Sequence, residues 1–370
     1  MAAHHKPLRI GAVEVRPGQR VTVDLPVARL YTDTSLSMPV RVIRGRRAGP
    51  VLFLSAAVHG DELNGVEIIR RLLKRRSMRF LRGTLLAVPI VNVHGFIDQS
   101  RYLPDRRDLN RSFPGSAKGS IAARLANTFL KEVVLKSDFG IDLHTGAIDR
   151  CNLPHIRANL DDPAVAALAE VFGAPVIVNA GMREGSLRAC AAGHGIPVMI
   201  YEAGEALRFD ELSIRAGIRG IRRVMRKLGM LPPGRGRKAP QAVVARTTSW
   251  VRAPASGIVS HAAALGSRVR QNDQLALISD PLGDHEDPVR APFDGIVIGC
   301  SRLPLAHGSD ALWRQRDQHS TDRRLCAVRP RCEIDRMRSD CRQATTWDPP
   351  PATRRLSAVP QVHLCGDRQS

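Results

Sequence analysis

Aromatic residues are scarce: Phe, Trp and Tyr together supply 4% of the chain. Stacking the bases of a single strand takes several aromatic faces along one groove. That class of binder is therefore not expected, even with a formal charge of +21 and an isoelectric point near 11.0. Long apolar runs are missing as well. None reaches the roughly 18 residues of a membrane span, and the opening MAAHHKPLRI lacks the apolar centre of a secretory signal. The expectation is a soluble cytoplasmic protein with neither nucleic acid nor membrane as a partner. The seven cysteines include no Cys-x-x-Cys pair, which argues against a zinc ribbon and against a secreted disulfide framework. Cys151 and Cys190 read as reduced, unreactive thiols. Lysine is absent after Lys238.

What is present suffices for a sizeable core: 370 residues, 43% of them hydrophobic, with two domains expected. The positive charge falls in separate clusters, at 70–82, at 215–238 and towards the C-terminus. These read first as solvated helix faces, and second as a positively biased mouth for an anionic substrate.

The stretch VLFLSAAVHGDE, residues 51–62, organises the rest. Its apolar part has the length and continuity of a strand buried on both faces, and it ends in His59, Gly60, Asp61 and Glu62. Ahead of it, residues 1–45 form a preamble of short strands at 20–25 and 38–42. Behind it, strand patterns at 84–93, 139–143, 175–178 and 197–201 alternate with helical patterns at 63–76, 120–136 and 209–228. Pro89 sits awkwardly in an inner strand, and residues 92–115 read as a polar loop. The alternation predicts an α/β fold, a doubly wound and mainly parallel sheet with helices on both faces, over residues 46–230.

LPPGRGRKAP at 231–240 is a linker. Beyond it APASGIV at 253–259 returns as APFDGIV at 291–297, 38 residues later. The repeat predicts a small β-sandwich over 241–313, like the biotinyl/lipoyl carrier fold. No lysine is available to tether a cofactor, so the module reads as a structural or gating appendage. Residues 314–370 form an irregular tail. Counted from Ser301, the chain holds thirteen arginines, no lysine and four cysteines (Cys326, Cys332, Cys341, Cys365). Out-of-frame translation of a GC-rich gene would give that composition, so a disordered or frame-shifted tail is expected.

Three sheet-end elements carry the chemistry: His59 with Glu62, then His144 closing the strand at 139–143, then Glu202 after Tyr201. A parallel sheet gathers the carboxyl ends of its strands at one edge, where ligands bind. Two imidazoles and one carboxylate leave a fourth zinc position open, the arrangement of a hydrolytic zinc. Such a zinc acidifies its bound water and polarises a carbonyl. A further carboxylate must move the proton, and Glu202 is the candidate. His94, His155, His194 and His261 carry no comparable signal, and His4 and His5 read as terminal residues.

Four blocks, HGDE at 59–62, SRYLPDRRDLNRSFPG at 100–115, DLHTG at 142–146 and YEAGE at 201–205, together resemble the succinylglutamate desuccinylase/aspartoacylase family, relatives of the zinc carboxypeptidases. The resemblance covers roughly residues 20–230, and a similar β-module follows the catalytic part in such proteins. It implies a zinc-carboxypeptidase-like fold and one Zn2+ per chain on His59, Glu62 and His144. It implies Glu202 as general base and acid, and Arg101 as the cation that stabilises the oxyanion. Asn110 and Arg111 would hold a substrate carboxylate, Arg188 a second one, and Asp142 would support His144. The implied substrate is a small anionic N-acyl amino acid, losing a succinyl, acetyl or similar group; homo-oligomerisation is compatible with the family. Rival readings are a zinc carboxypeptidase or an esterase and, from another class, a basic nucleic-acid-binding protein with a vestigial hydrolase fold.

Overall fold

The structure, a computed structural model, describes residues 7–234 and 241–317. His4, His5, residues 235–240 of the expected linker and the tail after Asp317 lie outside the described residues.

Four strands form the centre of a 13-stranded sheet: Thr84–Val88, Val51–Ala56, Phe139–His144 and Val198–Gly204, in that spatial order. All three junctions are parallel. Nearly every residue in them is buried, which is why they read as largely apolar runs without alternation. The flanks are antiparallel. Ser35–Arg44 and then Arg20–Arg29 extend one side, and Arg150–Ala158 lies beside Val198–Gly204 on the other.

Alternate side chains still serve opposite layers. Leu52, Leu54 and Ala56 pack with Ile68, Ile69 and Leu72 of the helix Asn64–Leu73, and with Ile214, Ile218 and Ile221 of Glu211–Lys227. Phe53 faces the other way, towards Leu125 and Phe129 of Ile121–Glu132 and Leu187 of Leu187–Gly193. The expected parallel centre with helices on both faces is therefore present. No helix among the described residues is long and apolar enough to cross a membrane.

Local chemistry sets the element ends. Ser120 Oγ accepts from the Ala123 N–H and starts one helix; Asp162 and Asp210 cap two others in the same way. The expected strand at 84–93 stops at Val88, because Pro89 has no N–H for the ladder. Inside the expected loop at 92–115, Asn92 caps a short helix, Val93–Ile97. The pattern also failed to reveal the strand Arg150–Ala158 and the helices Pro163–Phe172 and Leu187–Gly193. In the first, Pro154 and scattered polar residues break the alternation, and PAVAALAEVF has almost no polar face to reveal a helical period.

In the C-terminal part the repeat maps onto structure. Strands Thr248–Arg252 and Gly257–His261 recur 38 residues on as Glu286–Arg290 and the start of Gly295–Ser301. Gly257–His261, Gln274–Ser279, Glu286–Arg290 and Leu305–Ala306 make a four-stranded antiparallel sheet. Ala311–Asp317 lies between Thr248–Arg252 and Gly295–Ser301 and pairs with both, and Gly295–Ser301 hydrogen-bonds to Arg150–Ala158. The last strand continues to Asp317, past the pattern's end at Trp313, with Gln315 and Arg316 buried. Pairing on both edges and the fully buried Trp313 hold that stretch in spite of its polar side chains.

Phe129 is fully buried and meets Phe53 and Phe113 edge-on, with ring centroids 6.0 and 6.3 Å away. Phe129→Ala is expected to cost about 3–5 kcal/mol, read as a lower denaturant midpoint with an unchanged slope.

Candidate active site

The chain leaves Val51–Ala56 through Ala57, whose φ of 48° turns it sharply towards the edge of the sheet. Gly60 follows where no side chain fits, since a Cβ there would overlap the Gly95 backbone. This tight turn lays His59 and Glu62 against the carboxyl end of Phe139–His144. His144 closes that strand, and Glu202 stands beside it in the parallel register.

His59, Glu62 and His144 are buried, with donor atoms all within 4.8 Å of one another. His59 Nδ1 lies 2.7 Å from Glu62 Oε1, and His144 Nδ1 lies 2.8 Å from Glu62 Oε2. The outer nitrogens are held as well. His144 Nε2 is 2.6 Å from Asp142 Oδ2, whose other oxygen accepts from Ser55 Oγ at 2.6 Å. His59 Nε2 is 3.2 Å from Asp108 Oδ1. A carboxylate on the outer nitrogen fixes the tautomer and leaves the inner lone pair for a cation. Two imidazoles and one carboxylate, oriented in this way and shielded from water, fit a divalent cation of the zinc type.

The charges confirm how tightly the trio is coupled. Burial opposes ionisation of Glu62, but His59 and His144 outweigh it and hold the carboxyl far below its ordinary range. Burial likewise opposes charging His144, but Asp142 and Glu62 outweigh it and raise its pKa well above the usual value. His59 is raised in the same sense, with burial overcome by Glu62 and Asp108.

Glu202 accepts from Arg157 Nη1 at 2.9 Å and from Asn152 Nδ2 at 2.9 Å. Burial favours its neutral form, yet Arg157, His155 and His144 together push its pKa below the ordinary value. His155, which carried no signal in the sequence, is fully buried directly across the ladder from Glu202. Burial pushes its pKa down to about 4, so it stays neutral. Arg101 reaches Asp108 Oδ2 at 3.0 Å and Glu62 Oε1 at 3.4 Å. Asn110 accepts the Leu187 N–H at 2.9 Å, tying its loop to the start of a helix. Arg111 points into the same space, its Nη1 also touching the Asn110 carbonyl. Arg188 is 4% exposed and donates to the Gly181 carbonyl at 2.6 Å; burial, then Arg157, lowers its pKa to about 10, so it remains charged at neutral pH.

All eight residues singled out in the sequence line one cavity of about 290 Å³. His94 and His194 do not line it, and His261 stacks on Trp313 instead. Sequence reasoning missed Asp108, although it lies inside the 100–115 block, and also Asn152 and Arg157 on the unread strand. It missed Trp250 and Arg314 too, which come from the C-terminal strands and carry no linear signal. Counting Arg150 and Arg183, seven arginines face the cavity against two carboxylates, Glu62 and Glu202. Three of these guanidiniums have a buried nitrogen without a partner among the described residues: Arg157 Nε, Arg188 Nη1 and Arg314 Nε.

Residues 48–228 match the family model described as the Succinylglutamate desuccinylase/Aspartoacylase catalytic domain. The chain is 28% identical over 285 residues to the N-alpha-acetyl-L-2,4-diaminobutyric acid deacetylase of Halomonas elongata, covering 74% of this chain and 83% of that relative. Two solved structures are similar over most of their length. The product-bound ectoine utilization protein EutE (DoeB) from Ruegeria pomeroyi has a TM-score of 0.74 at 25% identity, over 85% of this chain and all (100%) of that one. A succinylglutamate desuccinylase/aspartoacylase from Rhodobacter sphaeroides has a TM-score of 0.70 at 28% identity, over 82% of this chain and 96% of that one.

Cation binding needs both imidazoles neutral, and their pKa values in the metal-free chain are raised. Protons therefore compete for the site up to those raised values. Zinc affinity should fall as the pH drops, by about tenfold per pH unit for each proton displaced. Competition titration against a chelator reads this directly. Asp142→Asn should weaken binding about 10–100-fold at fixed pH.

Proposed function

Because the chain belongs to the succinylglutamate desuccinylase/aspartoacylase family, we propose that it is a zinc-dependent amidohydrolase that removes the acyl group from a small anionic N-acyl amino acid. The observation that carries this reading is the pairing of a buried His-Glu-His donor set with an arginine-lined cavity. Zinc held by His59, Glu62 and His144 supplies a Lewis acid and a water acidic enough to react near neutral pH. Glu202, ionised and fixed by Arg157 and Asn152, accepts the proton of the attacking water. The same carboxyl then hands that proton to the leaving nitrogen. The products are a carboxylate and a free amine.

Arg101 sits beside Glu62, where a fixed positive charge stabilises the oxyanion that develops as the carbonyl is attacked. Asn110, Arg111 and Arg188 hold the carboxylate end of the substrate, with Arg188 contributing a buried and still charged guanidinium. Trp250 and Arg314 extend the wall from residues 241–317, which serve as a β-module shaping the entrance. Arg150 and Arg314 lie over the Trp250 ring, 5.1 and 6.0 Å from its centroid, and so hold that wall in place. The excess of arginine favours substrates with net negative charge. An N-acyl dicarboxylic amino acid suits the cavity better than the N-acetyl-diaminobutyrate named for the Halomonas relative, because the free ammonium of that compound would face guanidiniums.

A release assay over N-acetyl and N-succinyl amino acids, with the free amine detected, tests the reading. Dicarboxylic members should be cleaved fastest. Glu202→Ala should lower kcat about 10²–10⁴-fold while the protein still binds zinc. Cleavage of peptide C-termini or esters in place of every N-acyl amino acid would move the assignment to a carboxypeptidase or an esterase.

A further inference from the structure

Gly295–Ser301 lies antiparallel beside Arg150–Ala158, and in that register Cys300 stands directly opposite Cys151. Directly opposed residues of an antiparallel pair have Cα atoms roughly 4.5–5.5 Å apart. That separation lies inside the roughly 4.4–6.8 Å that a disulfide bridges without backbone movement. The two side chains also point the same way. Cys300 is buried in the apolar cluster with Val297, Leu312 and Trp313, and Cys151 packs against that cluster. Both are free thiols. Burial pushes Cys151 up to about 12, with Cys300 adding to the shift, and pushes Cys300 up to about 11. The resting pair is therefore protonated at neutral pH, and its attack on an oxidant quickens as the pH rises. Neither sulfur lines the catalytic cavity, but Arg150 and Asn152 on either side of Cys151 both do.

From this register we infer that Cys151 and Cys300 are an oxidative modification site, where a peroxide-class oxidant forms a cross-strand disulfide stapling the C-terminal strands to the catalytic sheet. Cys151 is the half-buried partner and meets the oxidant first. Its sulfur loses a proton and attacks one peroxide oxygen; the O–O bond breaks, one water leaves, and a sulfenic acid remains. The Cys300 sulfur then attacks the Cys151 sulfur and loses its own proton. The S–OH bond breaks, the S–S bond forms, and a second water departs. Two thiols are oxidised and one peroxide is reduced to two waters. The bond joins points far apart in the chain, the case in which constraining the unfolded state contributes most to stability. The inference rests on strand register alone and is independent of the reaction assigned to the site.

The full chain would be exposed to hydrogen peroxide, blocked by alkylation, digested without reductant and analysed by mass spectrometry. The expected result is a peptide pair joined through Cys151 and Cys300 that separates on treatment with dithiothreitol. The oxidised protein should melt higher than the reduced one by roughly 5 °C or more, and Cys300→Ser should show neither the linked pair nor the shift. Recovery of both cysteines alkylated after oxidation overturns the inference. So does either one linked to a different cysteine, or a linked pair with no change in melting.

Discussion

One buried carboxylate governs the site. Glu62 is 2% exposed, and its two oxygens face the Nδ1 atoms of His59 and His144. An isolated charge at that depth would carry a large desolvation penalty, so the neighbourhood is built around its compensation. The imidazoles answer Glu62, Asp142 and Asp108 answer the imidazoles, and Arg101 spans Asp108 and Glu62. Ser55, fully buried, closes the network on Asp142. A chain of this kind holds the donors in one orientation, which a cation site requires.

The cavity beyond Glu62 has the opposite bias. Its seven arginines repel one another, and Arg188 and Arg314 are both lowered by burial first and by Arg157 next. Unpartnered buried guanidinium nitrogens add to the cost. Among the lining residues Glu62 and Glu202 offset this charge, and Asp108 adds its pairing with Arg101. The anionic substrate proposed above would meet these guanidiniums directly. Seven of the positive side chains behind the overall charge of +21 gather at this cavity.

The edge that carries the candidate site and the C-terminal strands are parts of one sheet. Gly295–Ser301 pairs with Arg150–Ala158, which pairs with Val198–Gly204, the strand of Glu202. The strand Arg150–Ala158 is the hinge of this arrangement. It contributes Asn152 and Arg157 to Glu202 on one side and Cys151 to the C-terminal seam on the other.

The parallel centre was legible in the sequence because strands buried on both faces are mostly apolar, as residues 51–58 are apart from Ser55. The gathering of His59, Glu62, His144 and Glu202 was legible because each lies at or just beyond such a strand's carboxyl end, where the sheet edge itself supplies proximity. The 38-residue repeat likewise marked paired strands, since the same turn chemistry recurs in both copies. Arg157, Arg314, Trp250 and the opposition of Cys151 with Cys300 were not legible. Arg157 lies on a strand whose Pro154 and mixed polarity hide its period. The others become neighbours only through strand pairing between distant segments, Cys151 with Cys300 and Trp250 with Arg314. Local pattern determines which residues end a strand; only the order and register of the assembled sheet decides which distant side chains share its cavity.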